Sequence, residues 1–491
     1  MDDVTILTQR QAEATGERVK LFSGAHVIVP VAKPLDAVMA HETRIVQTPD
    51  GWQLLRDGQP YFIKGAGGVV RMARAKELGA NSVRTWTPTN LQAVLDEAHS
   101  LGMTVCAGLF VKKAVSNKDF YSAPGRDAEE KRAQKIGEYV DIVKQFSRHP
   151  ALLMWAIGNE AQAEGCSAFA PLYTFINNAA KAVRQADPHH VICTVTTSPT
   201  EDIAASMNAH CPDVDVWGIN VYGPLLPKLP TKMREVGWQR CYCVTEYGPK
   251  NHWQSKKTAW DAKLEPTSSE KAVMYKAAYE AIASDKALCC GGYAFKWGGK
   301  VQVTPTWICL LNEYKYTLIA NGGSMQGFEE TAAVVELAAC WSGKPATQHA
   351  PRVTAILLAG QAPDASVTVQ CSHPVAAECQ AAHLGIPLSY LWMVLPELGS
   401  KANTEGVSWS SEDVAPIPGC ISDADKEGHV TVTPPSAPGN YRLYVWVSDG
   451  RGFMGTANIP FQATAAGGGQ HHKHREAEGE PHRDRCCAWA F

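Results

Sequence analysis

Several features that would assign a function at once are absent from this 491-residue sequence. Lys and Arg together number 46 against 49 Asp and Glu, so the net charge is −3 and the basic excess of a nucleic-acid binder is missing. Charged residues make up 19% and hydrophobic residues 45%, which is ordinary for a globular protein. We therefore expect no nucleic acid among its partners.

Long apolar runs are also lacking. No stretch approaches the roughly 20 apolar residues that a transmembrane helix needs, so no membrane span is predicted. The N-terminus reads MDDVTILTQRQ, with two acidic residues and no apolar run of the kind found in secretory signals. An incomplete N-terminus would hide such a signal, so the compartment stays open, with the cytoplasm as the default.

The 15 cysteines include no CxxC pair with the spacing of a zinc site. Several lie inside apolar runs, where free cysteine behaves as a small buried hydrophobe. Three histidines near the C-terminus, His471, His472 and His474, lie in a polar tail without a scaffold to hold a metal. The sequence therefore predicts neither a metal nor any other cofactor.

The chain is long enough for two or three domains. We interpret residues 1–43 as a loosely ordered arm and residues 44–344 as one α/β domain. After Pro345 the segments become short and alternating, which predicts an all-β, immunoglobulin-like sandwich over residues 345–464. Residues 465–491 are Gly-rich and then polar, and are predicted to be a disordered tail. The oligomeric state is not indicated.

The α/β domain alternates apolar strands with amphipathic helices. Residues 91–98, for example, place Leu91, Val94, Leu95 and Ala98 on one helical face, and Gly102 ends that helix. Eight strands are predicted, over 61–64, 81–86, 104–110, 152–157, 191–196, 214–221, 241–245 and 292–296. Eight such repeats favour a (β/α)₈ TIM barrel. The alternative, a doubly wound open sheet, normally carries a Gly-rich phosphate loop that this sequence lacks.

Two glutamates follow predicted barrel strands directly. The fourth strand runs into Gly158-Asn159-Glu160, and the seventh into Thr245-Glu246-Tyr247. Catalytic groups of TIM barrels lie at these carboxyl ends. Cleavage of a glycosidic bond needs two carboxyl groups, one to protonate the leaving oxygen and one to attack the sugar or activate water. A single Glu at a strand end is more often a cap or a surface charge, so the interpretation depends on the pair.

Other strand ends supply supporting side chains. Arg84 could keep a nucleophilic carboxylate ionised, and Tyr222 could donate a hydrogen bond to it. Trp86 and Trp297 offer flat faces for a sugar ring; the alternative for each is packing in the core, which is weighed more heavily for Trp86 than for Trp297. Trp253, in the long loop after the seventh strand, is a further candidate sugar platform or a loop anchor.

The segments RHPALLMWAIGNE, INVYG, VTEYGP and FKWG resemble strand motifs of the clan A retaining glycoside hydrolases. Over about residues 60–340 the sequence looks most like the catalytic barrel of glycoside hydrolase family 2. The resemblance implies that Glu160 is the general acid/base, that Glu246 is the nucleophile and that Asn159 contacts the sugar 2-hydroxyl. It also assigns the family's Arg, Tyr and Trp positions to Arg84, Tyr222 and Trp297.

The domain order departs from that family, whose β-sandwich domains precede the barrel. For this reason the resemblance does not name the sugar. We expect a carbohydrate substrate, namely a β-linked oligo- or polysaccharide. The expected reaction is hydrolysis by retaining double displacement. Two alternatives stay open, namely a β-glucan transglycosidase with the same site and a non-catalytic carbohydrate-binding protein.

Overall fold

The computed structural model describes residues 41–162, 165–300, 302–313, 328–397 and 415–465, together with the backbone of two short strands, Val19–Lys20 and His26–Val27. Most of the predicted N-terminal arm and nearly all of the predicted tail, with its three histidines, lie outside these residues. Within the described part of the chain, no helix has the length and apolarity needed to cross a membrane.

Eight parallel strands close into a barrel, which confirms the predicted fold class. In chain order they are Ile63–Gly67, Ser82–Arg84, Thr104–Leu109, Leu152–Asn159, Val191–Thr196, Val216–Tyr222, Tyr242–Gly248 and Cys289–Ala294. Their side chains are buried almost throughout, because an outer layer of helices covers one face and the barrel interior the other.

The helices between the strands are amphipathic and turn their apolar faces to the barrel. They comprise Met72–Glu77, Leu91–Ser100, Lys118–Ser122, Arg126–Phe146, Ala170–Ala186, Glu201–His210, Leu229–Glu235, Ser268–Ser284 and Ala332–Ser342, with 3₁₀ turns at Gly223–Lys228 and His252–Gln254. The predicted stripe Leu91, Val94, Leu95 and Ala98 is the buried face of its helix. Thr267 begins the helix Ser268–Ser284 through a capping box with Glu270.

A three-stranded sheet, Thr43–Thr48, Gly51–Arg56 and Gln59–Pro60, covers the amino-terminal end of the barrel. The Thr43 hydroxyl donates to the Leu153 carbonyl at 2.8 Å and accepts from the Val191 amide at 2.9 Å. Leu54 lies in one apolar cluster with barrel residues such as Ile63. This sheet closes the bottom of the barrel, so the opposite end is the open one.

The barrel interior is filled by side chains, including several of the cysteines. Cys106, Cys193, Cys241, Cys243 and Cys290 are buried there as free thiols, as their apolar context predicts. The Tyr293 ring fills the interior over Gly65, where a Cβ would lie 2.2 Å from Tyr293 Cδ1. The interior is therefore a packed core and not a channel.

Two further sheets follow the barrel and share one core. One contains Arg352–Leu358, Val375–Ala382, His429–Val432 and Ile421–Ser422. The other contains Thr368–Gln370, Ser389–Pro396, Gly439–Ser448 and Phe453–Thr464. Apolar residues of both sheets, including Ile356, Val430, Val445 and Ile459, form a single cluster between them. The all-β character predicted after the barrel is therefore present.

This second sheet also takes in chain from before residue 345. The strands Leu311–Glu313 and Phe328–Thr331 extend it, and Glu330 and Thr331 pair with Phe453 and Met454. A continuous sheet thus crosses the predicted boundary at residues 344 and 345. Barrel and sandwich are joined by backbone hydrogen bonds as well as by side chains.

Candidate active site

The two predicted glutamates both lie at the open end of the barrel. Glu160 follows the fourth strand with a φ of 50°, a left-handed conformation that costs free energy in a residue other than glycine. Its backbone amide is held by the Val195 carbonyl of the next strand at 2.8 Å. Glu246 lies near the carboxyl end of the seventh strand, paired in register with Asn220. Parallel strands place both side chains at one mouth.

Glu246 accepts three hydrogen bonds. Its Oε1 accepts from Arg84 Nη1 at 3.0 Å and from Trp86 Nε1 at 2.8 Å, and its Oε2 accepts from the Tyr222 hydroxyl at 2.5 Å. Its side chain is only 8% exposed. A carboxylate held by one cation and two neutral donors is fixed in position.

Arg84 is the buried cation that organises this end of the barrel. Its side chain is 1% exposed and also donates to the Thr245 carbonyl at 2.8 Å and to Asn159 Oδ1 at 2.7 Å. Its guanidinium lies 5.0 Å from the centre of the Trp86 ring. Burying a charge without partners costs free energy, because the charge loses its hydration. These contacts compensate for that loss and stabilise the Arg84 cation beneath the site.

Glu160 has a different environment. Its Oε1 accepts one hydrogen bond, from Asn220 Nδ2 at 2.9 Å. Burial raises its pKa above the usual range, and the negative charge of Glu246 raises it further. The Asn220 hydrogen bond and the positive charges of Lys113 and Arg84 oppose this rise. Glu160 therefore keeps its proton to a higher pH than an exposed glutamate does.

Two asparagines connect the carboxyl groups. Asn159 Oδ1 accepts from Arg84 and, at 3.1 Å, from Asn220 Nδ2, while Asn220 Oδ1 accepts from the Thr245 hydroxyl at 2.9 Å. Asn159 is among the site residues predicted from the sequence, whereas Asn220 is not. Its position at the end of the sixth strand, two residues before Tyr222, was the signal that could have found it.

Aromatic side chains border the carboxylates. Trp86 and Tyr222 use their polar atoms to hold Glu246, and the ring of Phe295 packs edge-on against both of them. The structure thus shows Trp86 as a hydrogen-bond donor to Glu246, while its flat face for a sugar ring stays a prediction. Trp253 is 58% exposed and its ring lies 6.0 Å from that of Tyr222, at right angles to it.

Trp297 does not join this group. Its side chain is fully buried in the main core, with its ring 5.9 Å from that of Trp341, so it presents no face to a ligand in this structure. The predicted strand over 292–296 actually ends at Ala294, and the chain leaves the barrel wall before Trp297. Phe295, which is not among the residues predicted from the sequence, supplies the aromatic ring beside Tyr222 from this strand end.

The geometry defines a class of site. One buried carboxylate is held by an arginine and two neutral donors, and a second carboxyl group with a raised pKa lies close enough to respond to its charge. Two carboxyl groups with different environments are what acid-assisted nucleophilic cleavage of a glycoside requires. Such a pair at the mouth of a closed eight-stranded barrel is typical of clan A glycoside hydrolases.

Comparison with known families agrees with this class. Residues 70–252 match the family model described as glycosyl hydrolases family 2, TIM barrel domain, a span that contains both glutamates. Over this span the barrel is thus similar to the catalytic barrel of glycoside hydrolase family 2. No curated protein sequence matches the chain.

Among solved structures, β-glucuronidases are similar to parts of this chain. The Dictyoglomus thermophilum enzyme is 18% identical with a TM-score of 0.42, over 63% of this chain and 55% of its own. Bacteroides uniformis β-glucuronidase 2, covalently bound to cyclophellitol-6-carboxylate aziridine, is 13% identical with a TM-score of 0.44, over 87% of this chain and 48% of its own. This chain thus spans about half the length of these proteins, and similarity at this level assigns it no substrate.

Proposed function

We propose that this protein is a retaining glycoside hydrolase that cleaves O-glycosidic bonds of a β-linked oligo- or polysaccharide. The observation that carries the proposal is the contrast between the two carboxyl groups. Glu246 is held by three donors, including a cation, whereas burial and the charge of Glu246 raise the pKa of Glu160. An ionised nucleophile beside a protonated acid is the starting state of double displacement.

In the first step Glu246 attacks the anomeric carbon and the bond to the leaving oxygen breaks. Glu160 gives its proton to that oxygen, and a covalent glycosyl-enzyme forms. In the second step Glu160, now ionised, takes a proton from water, and the resulting oxygen attacks the anomeric carbon. The bond to Glu246 breaks, which restores both carboxyl groups and retains the β configuration.

The remaining side chains have supporting roles in this proposal. Arg84, Trp86 and Tyr222 hold the nucleophile in line and balance its charge. Asn159 uses its oxygen to accept from Arg84 and Asn220, which leaves its Nδ2 as a donor for a sugar hydroxyl. Trp253, exposed beside Tyr222, would provide a platform for a sugar unit next to the cleaved bond.

The test is turnover of aryl β-glycosides and then of a panel of β-glucans. Glu246→Gln should abolish turnover of every substrate. Glu160→Gln should lose far more activity on sugars with poor leaving groups than on aryl glycosides that need no proton. Glu97→Gln, an exposed carboxylate on the helix Leu91–Ser100, is the matched control and should keep wild-type rates.

The products separate the alternatives. Proton NMR of the first product should show the β anomer; inversion would contradict double displacement. Products longer than the substrate would indicate transfer to an acceptor sugar, the transglycosidase alternative. Binding of β-glucan without turnover, equal in wild type and Glu246→Gln, would replace the enzymatic proposal with carbohydrate binding alone.

A further inference from the structure

One side of the active-site mouth is built from two segments that contact the β-sandwich. We call residues 249–267 and 302–308 the wall segments. The first carries Trp253, and the second carries Trp307, which is fully buried and donates from Nε1 to the Lys250 carbonyl at 3.1 Å. Trp307 belongs to the same apolar cluster as Tyr222 and Phe295. Its placement therefore bears on a residue that holds Glu246.

Glu265 joins the two wall segments. Its side chain is 1% exposed and accepts hydrogen bonds from the hydroxyls of Thr304 and Thr306, the latter at 2.8 Å. Lys271 forms a buried ion pair with it and donates to the Thr306 carbonyl at 2.8 Å. The hydroxyl and the carbonyl of Thr306, immediately before Trp307, are thus fixed by this pair.

The fourth partner of Glu265 comes from the sandwich. Asn458, on the strand Phe453–Thr464, donates from Nδ2 to Glu265 Oε2 at 2.6 Å. Its oxygen accepts from Arg442 Nη1 at 2.7 Å, which fixes the orientation of the amide. Arg442 is itself fully buried, pairs with Glu397 through two hydrogen bonds and donates to the Lys263 carbonyl at 2.8 Å.

We propose that the β-sandwich positions the active-site wall, with Asn458 as the residue that transmits this support through Glu265 to Thr304, Thr306 and Trp307. The sandwich is then part of the enzyme's working structure and not an independent appended module. This inference rests on the proposed function for its catalytic consequence, but its structural consequence is independent of any substrate. A buried carboxylate that loses one of its donors is held less firmly in place, because a buried hydrogen bond to a charge is not made elsewhere.

Hydrogen exchange of the full-length protein tests the structural consequence directly. In Asn458→Ala, amides of the wall segments should exchange on the order of tenfold faster than in the wild type, since a buried hydrogen bond to a charge is lost. Asn440→Ala is the matched control. This exposed asparagine on the neighbouring sandwich strand contacts Gln462 and should leave the wall unchanged. Glu265→Gln, which nearly keeps the volume, provides a second variant if Asn458→Ala fails to fold.

Kinetics test the catalytic consequence. After active sites are counted with a covalent inactivator, Asn458→Ala should show a kcat per site lowered on the order of tenfold. Unchanged wall exchange in both Asn458→Ala and Glu265→Gln would overturn the proposal, as would a loss of active sites with normal kcat per remaining site. Faster wall exchange in a protein whose wild type cleaves no glycoside would support the positioning and refute the proposed function instead.

Discussion

Removing the Tyr222 hydroxyl is the sharpest single perturbation of this site. In the structure that hydroxyl donates to Glu246 Oε2 at 2.5 Å, while Arg84 and Trp86 both donate to the other oxygen, Oε1. Tyr222→Phe therefore takes away the protein donor of Oε2 and leaves the rest of the ring in place. Hydrogen bonds to charged groups contribute about 1.5–3 kcal/mol, which corresponds to a fall of about 10- to 150-fold in kcat/KM.

The assay is steady-state hydrolysis of an aryl β-glycoside, with thermal unfolding measured in parallel. Tyr61→Phe is the control, because its hydroxyl donates to the Asn81 carbonyl at 2.8 Å at the opposite end of the barrel. It should keep wild-type kcat/KM. If Tyr222→Phe stayed within about twofold of wild type, Tyr222 would have no part in holding the nucleophile and the reasoning would be refuted.

Three further predictions concern charge, binding and stability. Burial raises the folded-state pKa of Glu160, so the contribution of this group to stability is lost as pH rises through that pKa. The melting temperature of Glu160→Gln, relative to that of the wild type, should therefore rise with pH. A difference in melting temperature that stays constant with pH in calorimetry would contradict this. Trp253→Ala should raise KM for oligosaccharides several-fold and change KM for aryl monosaccharides little; equal effects on both would argue against a sugar platform. Arg442→Met should lower the free energy of unfolding in urea by about 3–5 kcal/mol, because it leaves buried Glu397 unpaired, whereas Arg126→Ala at an exposed pair should have little effect; similar midpoints for both would contradict the argument.

The barrel could be predicted because its strands and helices have different periodicities. The strand Val191–Thr196 has the predicted bounds, and the helix at residues 91–98 was placed within two residues of its observed end. Continuous apolar runs are what strands buried on both faces require, and the 3.6-residue stripe is what a covering helix requires. The strand Val375–Ala382 carries no such signal, since its alanines, a glutamate and a glutamine give little apolar alternation.

The site was predictable wherever a polar residue directly follows an apolar run, as Asn159, Glu160 and Glu246 do. The position of a side chain could not be predicted where it depends on which face of the strand end that side chain occupies. Trp297 was chosen and Phe295 overlooked because the eighth strand ends at Ala294, and beyond a strand's end the alternation of faces no longer holds. The role of Trp86 as a donor to Glu246 likewise depends on how its ring is turned.

The amino-acid sequence by itself determined the strands and helices of the barrel, their order, and that two glutamates lie at the carboxyl ends of its fourth and seventh strands, at one mouth. These follow from local apolar periodicity and from the direction of parallel strands. Only the tertiary structure decided which donors face Glu246, why the pKa of Glu160 is raised, and that Asn458 of the sandwich reaches Glu265. Those contacts join residues far apart in the chain, so they exist only after the barrel closes and the sandwich packs against it.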